Sequence, residues 1–457
     1  MNLSDELSIF LFRFLFIYTI TYKLSIINMN YIEGNKTTYS LVYDIDYLNN
    51  NNTNEYYKSL IETINKFKDI VGKDLIILIY SNDQVNVKLL LLFEEIGSGG
   101  FGKIYKGKLY DKSNIDNDGI VVVIKELDTN GNNEMIPQIN KEINILNEFK
   151  DCNKDIVCTY DHIYVMNKFY IIMEDLTEKT DLYTYIVNLS TIQQGISLNH
   201  LLNIYLKIVD AFINLHNKNI IHRDIKPANI MITTSIYEND VTSIDEHVTI
   251  IDFGFACKQN VIIEENNKNG LINDLICVNE KVGTMTYMPP EILRTDLIPD
   301  NQNYYQNIDT YSLGVLLHHL IFGNDSLYEF NSVTRQFVVI PNKNINSYNE
   351  LKEEFKYEFI DANKRYELPA YVNNLNNSND SNNRYVPQKL IQIISLMTKN
   401  PVFISPNKVN NDRISLNDVK KLINDINSDI KLTQTGGSYY YSKYLKYKVK
   451  YLNLNKI

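Results

Sequence analysis

Tryptophan is absent from this chain, and cysteine is nearly so: Cys152, Cys158, Cys257 and Cys277 are the only four among 457 residues. So few cysteines do not make the disulfide framework of a small secreted scaffold. None of their spacings is that of a metal site beside a histidine cluster, so they read as buried small hydrophobes in a reducing compartment. A basic excess is missing too, since 45 Lys and Arg stand against 55 Asp and Glu, a net charge of −10. That balance argues against nucleic acid as the general partner of the surface. No apolar run of membrane-spanning length is free of charge. Leu7 to Ile27 comes nearest, but Arg13 and Lys23 interrupt it, and Asp5 and Glu6 precede it where a signal peptide would be basic. An arginine near the centre of a span costs roughly 3 kcal/mol, so a buried or untranslated extension (residues 1–30) is favoured over a membrane anchor. Met29 offers an alternative start.

What is present suits a soluble globular protein, with 44% hydrophobic and 22% charged residues. The wealth of Asn, Ile, Lys and Tyr fits an AT-rich genome. Residues 31–88 read as a small α/β extension: a strand at Ser40 to Tyr43, an amphipathic helix with Tyr57, Leu60, Ile61, Ile64 and Phe67 on one face, and a strand at Leu75 to Tyr80. No chemistry is visible in it.

Beyond it, Ile96-Gly97-Ser98-Gly99-Gly100-Phe101-Gly102-Lys103-Ile104 places three glycines in G-x-G-x-x-G spacing between two strand-like runs. Backbone amides in such a hairpin can approach phosphate oxygens with no side chain intervening. The strand character after Gly102 disfavours a dinucleotide-binding turn, which would open a helix. Val121 to Lys125 is a strand ending in lysine, and Ile136 to Phe149 a helix with Glu142 beside its apolar stripe. A strand lysine facing a helix glutamate would aim its ammonium at an anionic ligand.

The richest stretch is His222-Arg223-Asp224-Ile225-Lys226-Pro227-Ala228-Asn229, set between a helix over Leu198 to Asn217 and short buried strands at Ile230 to Ile232 and Val248 to Ile251. A loop so held is a rigid place for chemistry.

These markers, with Asp252-Phe253-Gly254, Gly283-Thr284-Met285-Thr286-Tyr287-Met288-Pro289-Pro290-Glu291, Asp309-Thr310-Tyr311-Ser312-Leu313-Gly314 and Asp412-Arg413-Ile414, stand in a fixed order. From about Phe93 to Asn424 the chain resembles the eukaryotic-type protein kinases. The resemblance implies an α+β, two-lobed fold, a β-rich N-lobe (89–174) and a helical C-lobe (177–425), and transfer of the γ-phosphate of ATP with Mg²⁺ or Mn²⁺.

It also implies roles. Asp224 would take or orient the hydroxyl proton, and Lys226 would neutralise the γ-phosphate. Lys125, held by Glu142, would meet the α- and β-phosphates. Asn229 and Asp252 would ligate the metal through hard oxygen donors. Backbone groups of Glu174 and Leu176 would meet the adenine edge, with Met173 behind the ring and Val123, where relatives often carry alanine, tightening its roof. The glycine loop, Ile96 to Ile104, would cover the phosphates. His222 would be structural, and Glu291 and Arg413 would form a buried pair. Lys226 and Thr284 match the serine/threonine kinases, with Thr284 bonding Asp224 and Lys226, so the implied partners are proteins with Ser or Thr acceptors.

Tyr311 stands for a packing tryptophan and Pro289 for an alanine, both mild departures. A larger one is the absence of Ser, Thr and Tyr from Phe253 to Gly283, which leaves the segment no phosphate acceptor upstream of Thr284. Glu280 falls where many relatives carry a phosphothreonine and is expected to face Arg223. Polar insertions are expected as mobile loops at Thr233 to Glu246, Gln259 to Asn279 and Asn324 to Tyr385. The Tyr/Lys-rich tail (426–457) resembles a segment on proteins of giant amoebal DNA viruses, which implies an intracellular location, host cytoplasm or virion. A docked helix is favoured there over an anionic-surface contact. A pseudokinase scaffold and a small-molecule kinase are the competing readings.

Overall fold

The computed structural model describes residues 27–33, 36–43, 45–50, 54–71, 76–81, 86–99, 102–115, 118–129, 135–149, 152, 155–165, 167–189, 196–233, 247–259, 276–293, 295–323, 328–331, 336–339, 363, 365, 367, 372–373, 385–405 and 408–434. The apolar segment before Ile27, the inserts at 234–246 and 260–275 and the tail from Gly436 lie outside them. The chain divides into two compact units, each described in turn.

Leucines at consecutive positions along one strand must face both sides of a sheet, and both sides are covered in the first unit. Its strands are β1 (Ile27–Glu33), β2 (Lys36–Tyr43), β3 (Ile76–Ser81), β4 (Lys88–Gly99), β5 (Gly102–Tyr110), β6 (Ile120–Asp128), β7 (Thr159–Val165) and β8 (Lys168–Glu174). They form one antiparallel sheet in the order β1-β2-β3-β4-β5-β6-β8-β7. Leu90 and Leu92 join Val122, Ile124, Ile163 and Ile172 on one face. Leu89 and Leu91 join Leu60, Ile64 and Phe67 on the other.

Helices α1 (Ile45–Asn50) and α2 (Glu55–Val71) supply that second cluster, so the amphipathic stripe expected from the sequence is the one buried. Strand β3 pairs with β4 from Ile76↔Leu92 to Tyr80↔Lys88. The sheet therefore runs without a break through residue 88, where the sequence reading ended its α/β extension. Helix α3 (Met135–Leu146) is followed by a 3-10 turn, Asn147–Phe149, that completes the expected helix.

The second unit opens with β9 (Thr180–Asp181), α4 (Leu182–Leu189) and β10 (Ile196–Ser197). Helix α5 (Leu198–Asn217) matches the sequence reading at both ends, because the Ser197 side chain accepts from the His200 N–H and caps it. Strand β11 (Ile220–Ile221) leads to the polar loop, and β12 (Ile230–Thr233) and β13 (His247–Ile250) form the hairpin behind it. Strand β14 (Cys257–Lys258) returns to pair with β11, and β15 (Ile298–Pro299) precedes the buried helix α6 (Tyr304–Phe322).

The region expected as one mobile loop, Asn324 to Tyr385, contains the hairpin β16 (Tyr328–Asn331) and β17 (Gln336–Val339), and β18 (Val372–Asn373) paired with β10. Helix α7 (Gln388–Met397), strands β19 (Val402–Ser405) and β20 (Lys408–Asn410), and helix α8 (Leu416–Gln434) complete the unit. Among the described residues no helix is long and apolar enough to cross a membrane.

The cysteines correct the sequence reading. Cys158, Cys257 and Cys277 are buried as expected, but all four pair, Cys152 with Cys158 and Cys257 with Cys277. Spacing along the chain did not reveal this because strand pairing and loop return bring the partners together.

Candidate active site

In the first unit, β4 and β5 close on Gly99↔Gly102, the last pair of the hairpin that carries the glycine motif. Gly102 has φ 142°, and a side chain there would run into the Glu126 carbonyl, so glycine is required. Gly100 and Phe101, at its tip, lie outside the described residues. Ile96, Ser98 and Lys103 are exposed; Gly97 and Ile104 are partly buried.

Strand β6 carries Lys125 to the buried Glu142 of α3, Nζ to Oε1 at 2.7 Å. A largely buried ammonium is thus neutralised and aimed by one carboxylate, as the sequence suggested. Val123, two residues earlier on β6, pairs with Met173 across β8. The Glu174 N–H donates to the Cys158 carbonyl at 3.0 Å, and the Cys158 N–H donates to Glu174 Oε1 at 2.8 Å. This pins the strand end just before Leu176, which is buried.

In the second unit, three side chains meet. Thr284 Oγ1 donates to Asp224 Oδ1 at 2.7 Å, Lys226 Nζ donates to Asp224 Oδ2 at 2.8 Å, and the same Nζ donates to Thr284 Oγ1 at 3.1 Å. Asp224 is 4% exposed, so its charge is held by these bonds rather than by bulk water. Asn229 Nδ2 donates to the Asp224 carbonyl at 2.9 Å and to Oδ2 at 3.1 Å, which turns the amide oxygen away from Asp224. The Ile251 N–H donates to the Asn229 carbonyl at 3.0 Å and so ties the segment carrying Asp252 to the loop.

Two residues of this site have left-handed backbone, Arg223 (φ 65°) and Asp252 (φ 62°), an arrangement that costs about 1–3 kcal/mol each and that surrounding bonds must hold. Gly283 has φ 106°, and a Cβ there would collide with the Arg223 carbonyl. Its small size is what lets Thr284 reach Asp224.

His222 is fully buried against the rings of Phe212 and Phe253. Its Nε2 lies 3.1 Å from the Ile251 carbonyl, and its Nδ1 accepts from the Asp224 N–H at 3.3 Å. That geometry is a prop for the loop, as expected of it. Asp309 is the residue the sequence reading left without a role. It is fully buried at the start of α6, where Oδ2 accepts from the His222 N–H and Oδ1 from the Arg223 N–H, both at 2.9 Å; His216 Nε2 lies 3.0 Å from Oδ2. The signal available was that Asp309 is the one Asp, Glu, Lys or Arg in that helix.

Arg223 is buried, and burial pulls its guanidinium below the usual pKa while Glu280 opposes that shift. Nε donates to the Phe255 carbonyl at 2.7 Å and Nη1 to the Val278 carbonyl at 3.2 Å; Glu280 Oε2 lies 3.0 Å from Nη1.

The donor set at Asn229 and Asp252, one amide and one carboxylate, suits a hard cation that keeps its waters and shares phosphate oxygens. No group of three or more His, Cys, Asp or Glu that could cage a metal occurs among the described residues.

Residues 91–427 match the family model described as protein kinase domain. The chain is 31% identical over 252 residues to the serine/threonine-protein kinase pakH of Dictyostelium discoideum, covering 54% of this chain and 40% of that protein. It is 29% identical over 232 residues to an Aurora kinase of Yarrowia lipolytica, covering 50% of each. The chain thus spans about half the length, or less, of these relatives.

Proposed function

Because this chain belongs to the protein kinase domain family, we propose that it transfers the γ-phosphate of ATP to serine and threonine hydroxyls of proteins. The observation that carries this reading is the triangle of Asp224, Lys226 and Thr284. In the step, the acceptor oxygen attacks the γ-phosphorus, its proton passes to Asp224, and the bond to the β-phosphate oxygen breaks to release ADP. Lys226 neutralises charge on the transferred group, and Thr284 holds both partners in line. In the first unit, Lys125 would hold the α- and β-phosphates, the glycine hairpin would cover them, and Met173 to Leu176 would receive the adenine. Mg²⁺ held by Asn229 and Asp252 would screen phosphate charge. The relative pakH is named a serine/threonine-protein kinase, which supports the acceptor class.

The kinase reading includes activity without phosphorylation of its activation segment. Glu280 supplies a negative charge to Arg223, and the stretch from Phe253 to Gly283 offers no hydroxyl to phosphorylate. Protein made without exposure to ATP should be active, and Glu280→Ala should be less so; equal rates for the two would remove this part of the reading. The composition and tail support a viral origin and an intracellular site of action.

The main test is phosphate transfer to generic protein acceptors with Mg-ATP, against Asp224→Asn. Phosphoserine and phosphothreonine that disappear in the mutant are expected. ATP turnover only with small alcohols would point to a small-molecule kinase, and no transfer at all to a scaffold.

A further inference from the structure

Cys257 and Cys277 bracket the segment that the proposed activity depends on. Cys257 follows Phe255 by two residues, and Cys277 directly precedes Val278 and stands three before Glu280. Those neighbours hold Arg223: the Phe255 carbonyl takes Nε, and Nη1 meets both the Val278 carbonyl and the Glu280 carboxylate. The disulfide therefore joins the two segments that supply the two sides of the arginine's cradle.

The surroundings fix it there. Cys257 pairs with Ile221 across β11 and β14, two residues from Arg223. The Cys277 N–H donates to the Lys258 carbonyl at 2.9 Å, and the two cysteines, 5.0 Å apart at Cα, are buried with Ile221 against Tyr305. Glu280 by contrast is half exposed, with 46% of its side chain open to water. With its carboxylate half open to water, the pair is partly screened, and ordering the glutamate on the buried guanidinium costs side-chain entropy. A covalent link three residues away limits the positions Glu280 can take.

We propose that the Cys257–Cys277 disulfide is a redox clamp that seats Val278 and Glu280 on Arg223, so that reduction by a dithiol lowers the kinase activity. This rests on the kinase reading above. Chemically, one thiolate of the dithiol attacks a cystine sulfur and forms a mixed disulfide, and its second thiolate then displaces the protein thiolate. The dithiol gives up two electrons and two protons and ends as a disulfide; Cys257 and Cys277 end as thiols. Because both sulfurs are buried, exchange follows local opening of the segment.

The test uses the full chain, oxidised and then treated with dithiothreitol, with alkylation and peptide mass reporting the state of each cysteine pair. Reduction of Cys257–Cys277 should lower phosphate transfer about fivefold or more, and reoxidation should restore it. Cys277→Ser should be slow with or without the reductant, Cys152→Ser should keep the response, and Glu280→Ala should lose most of it. Hydrogen exchange over residues 276–284 should quicken on reduction. Unchanged transfer and unchanged exchange in protein shown by mass to be reduced at Cys257 and Cys277 would overturn the clamp. Oxidised protein that transfers no phosphate would instead defeat the kinase reading, and the exchange measurement would still decide the clamp.

Discussion

Glu291 and Arg413 lie 122 residues apart, and their side chains meet fully buried, with Nη1 and Nη2 at 2.5 and 3.0 Å from the two carboxylate oxygens. Asn411 Nδ2 donates to the same carboxylate at 2.9 Å, Arg413 Nε and Nη1 donate to the Lys399 and Asn307 carbonyls, and the guanidinium lies 4.9 Å from the centre of the Tyr311 ring. Tyrosine thus supplies the aromatic face expected of the missing tryptophan. Removing one charge strands the other without water. Arg413→Met is expected to cost about 3–5 kcal/mol in urea unfolding, and Glu291→Met combined with it to recover much of that loss. A single mutant within 1 kcal/mol of the parent would show that the pair is not desolvated in solution.

Thr284 makes two bonds to charged groups, and each such bond is worth roughly 1.5–3 kcal/mol. Thr284→Ala is therefore expected to lower kcat about 10- to 100-fold with little change in KM for ATP. Thr284→Ser keeps the hydroxyl and should retain most of the rate. Steady-state kinetics at saturating ATP decide it, and an alanine variant as fast as the parent would take Thr284 out of the reacting assembly.

The elements around this site were legible for different reasons. Helix α5 could be read to its ends because its apolar spacing is a local signal. Lys125 with Glu142, and Thr284 with Asp224 and Lys226, could be read because the motif order carries the pairing. Asp309 could not, since α6 is buried all round and its periodicity marks no special face. The unbroken apolar runs of β3 and β4 likewise tell that both faces are covered but not that the two strands are neighbours, so their pairing was hidden. The Cys257–Cys277 disulfide was hidden in the same way, because Cys277 is brought to Cys257 by the bridge of Ile276 to Lys258 and by its own N–H bond to the Lys258 carbonyl.

Asp309 supports the loop by accepting from two backbone N–H groups, so an amide in its place should leave one of them facing another donor. Asp309→Asn is expected to lose roughly 2–3 kcal/mol of stability, with a fall in kcat because Arg223 and the loop after it lose their anchor. Urea unfolding and kinetics on the same preparations test this together. Parent-like stability would mean that the two N–H groups find other acceptors.

His318 gives a pH signature separate from the site. It sits on α6 with its ring 4.5 Å from that of Phe322, and burial, aided by the neighbouring His319, pushes its pKa down from 6.5 to about 4. The folded chain therefore binds this proton less readily than the unfolded one. The contribution to stability is full above pH 6.5 and is lost as pH falls toward 4, by up to about 3 kcal/mol. His318→Phe keeps an aromatic ring but has no proton to bind, so its melting temperature should fall less steeply than the parent's between those limits. Parallel acid limbs for the two proteins would show that His318 titrates alike in the folded and unfolded chain.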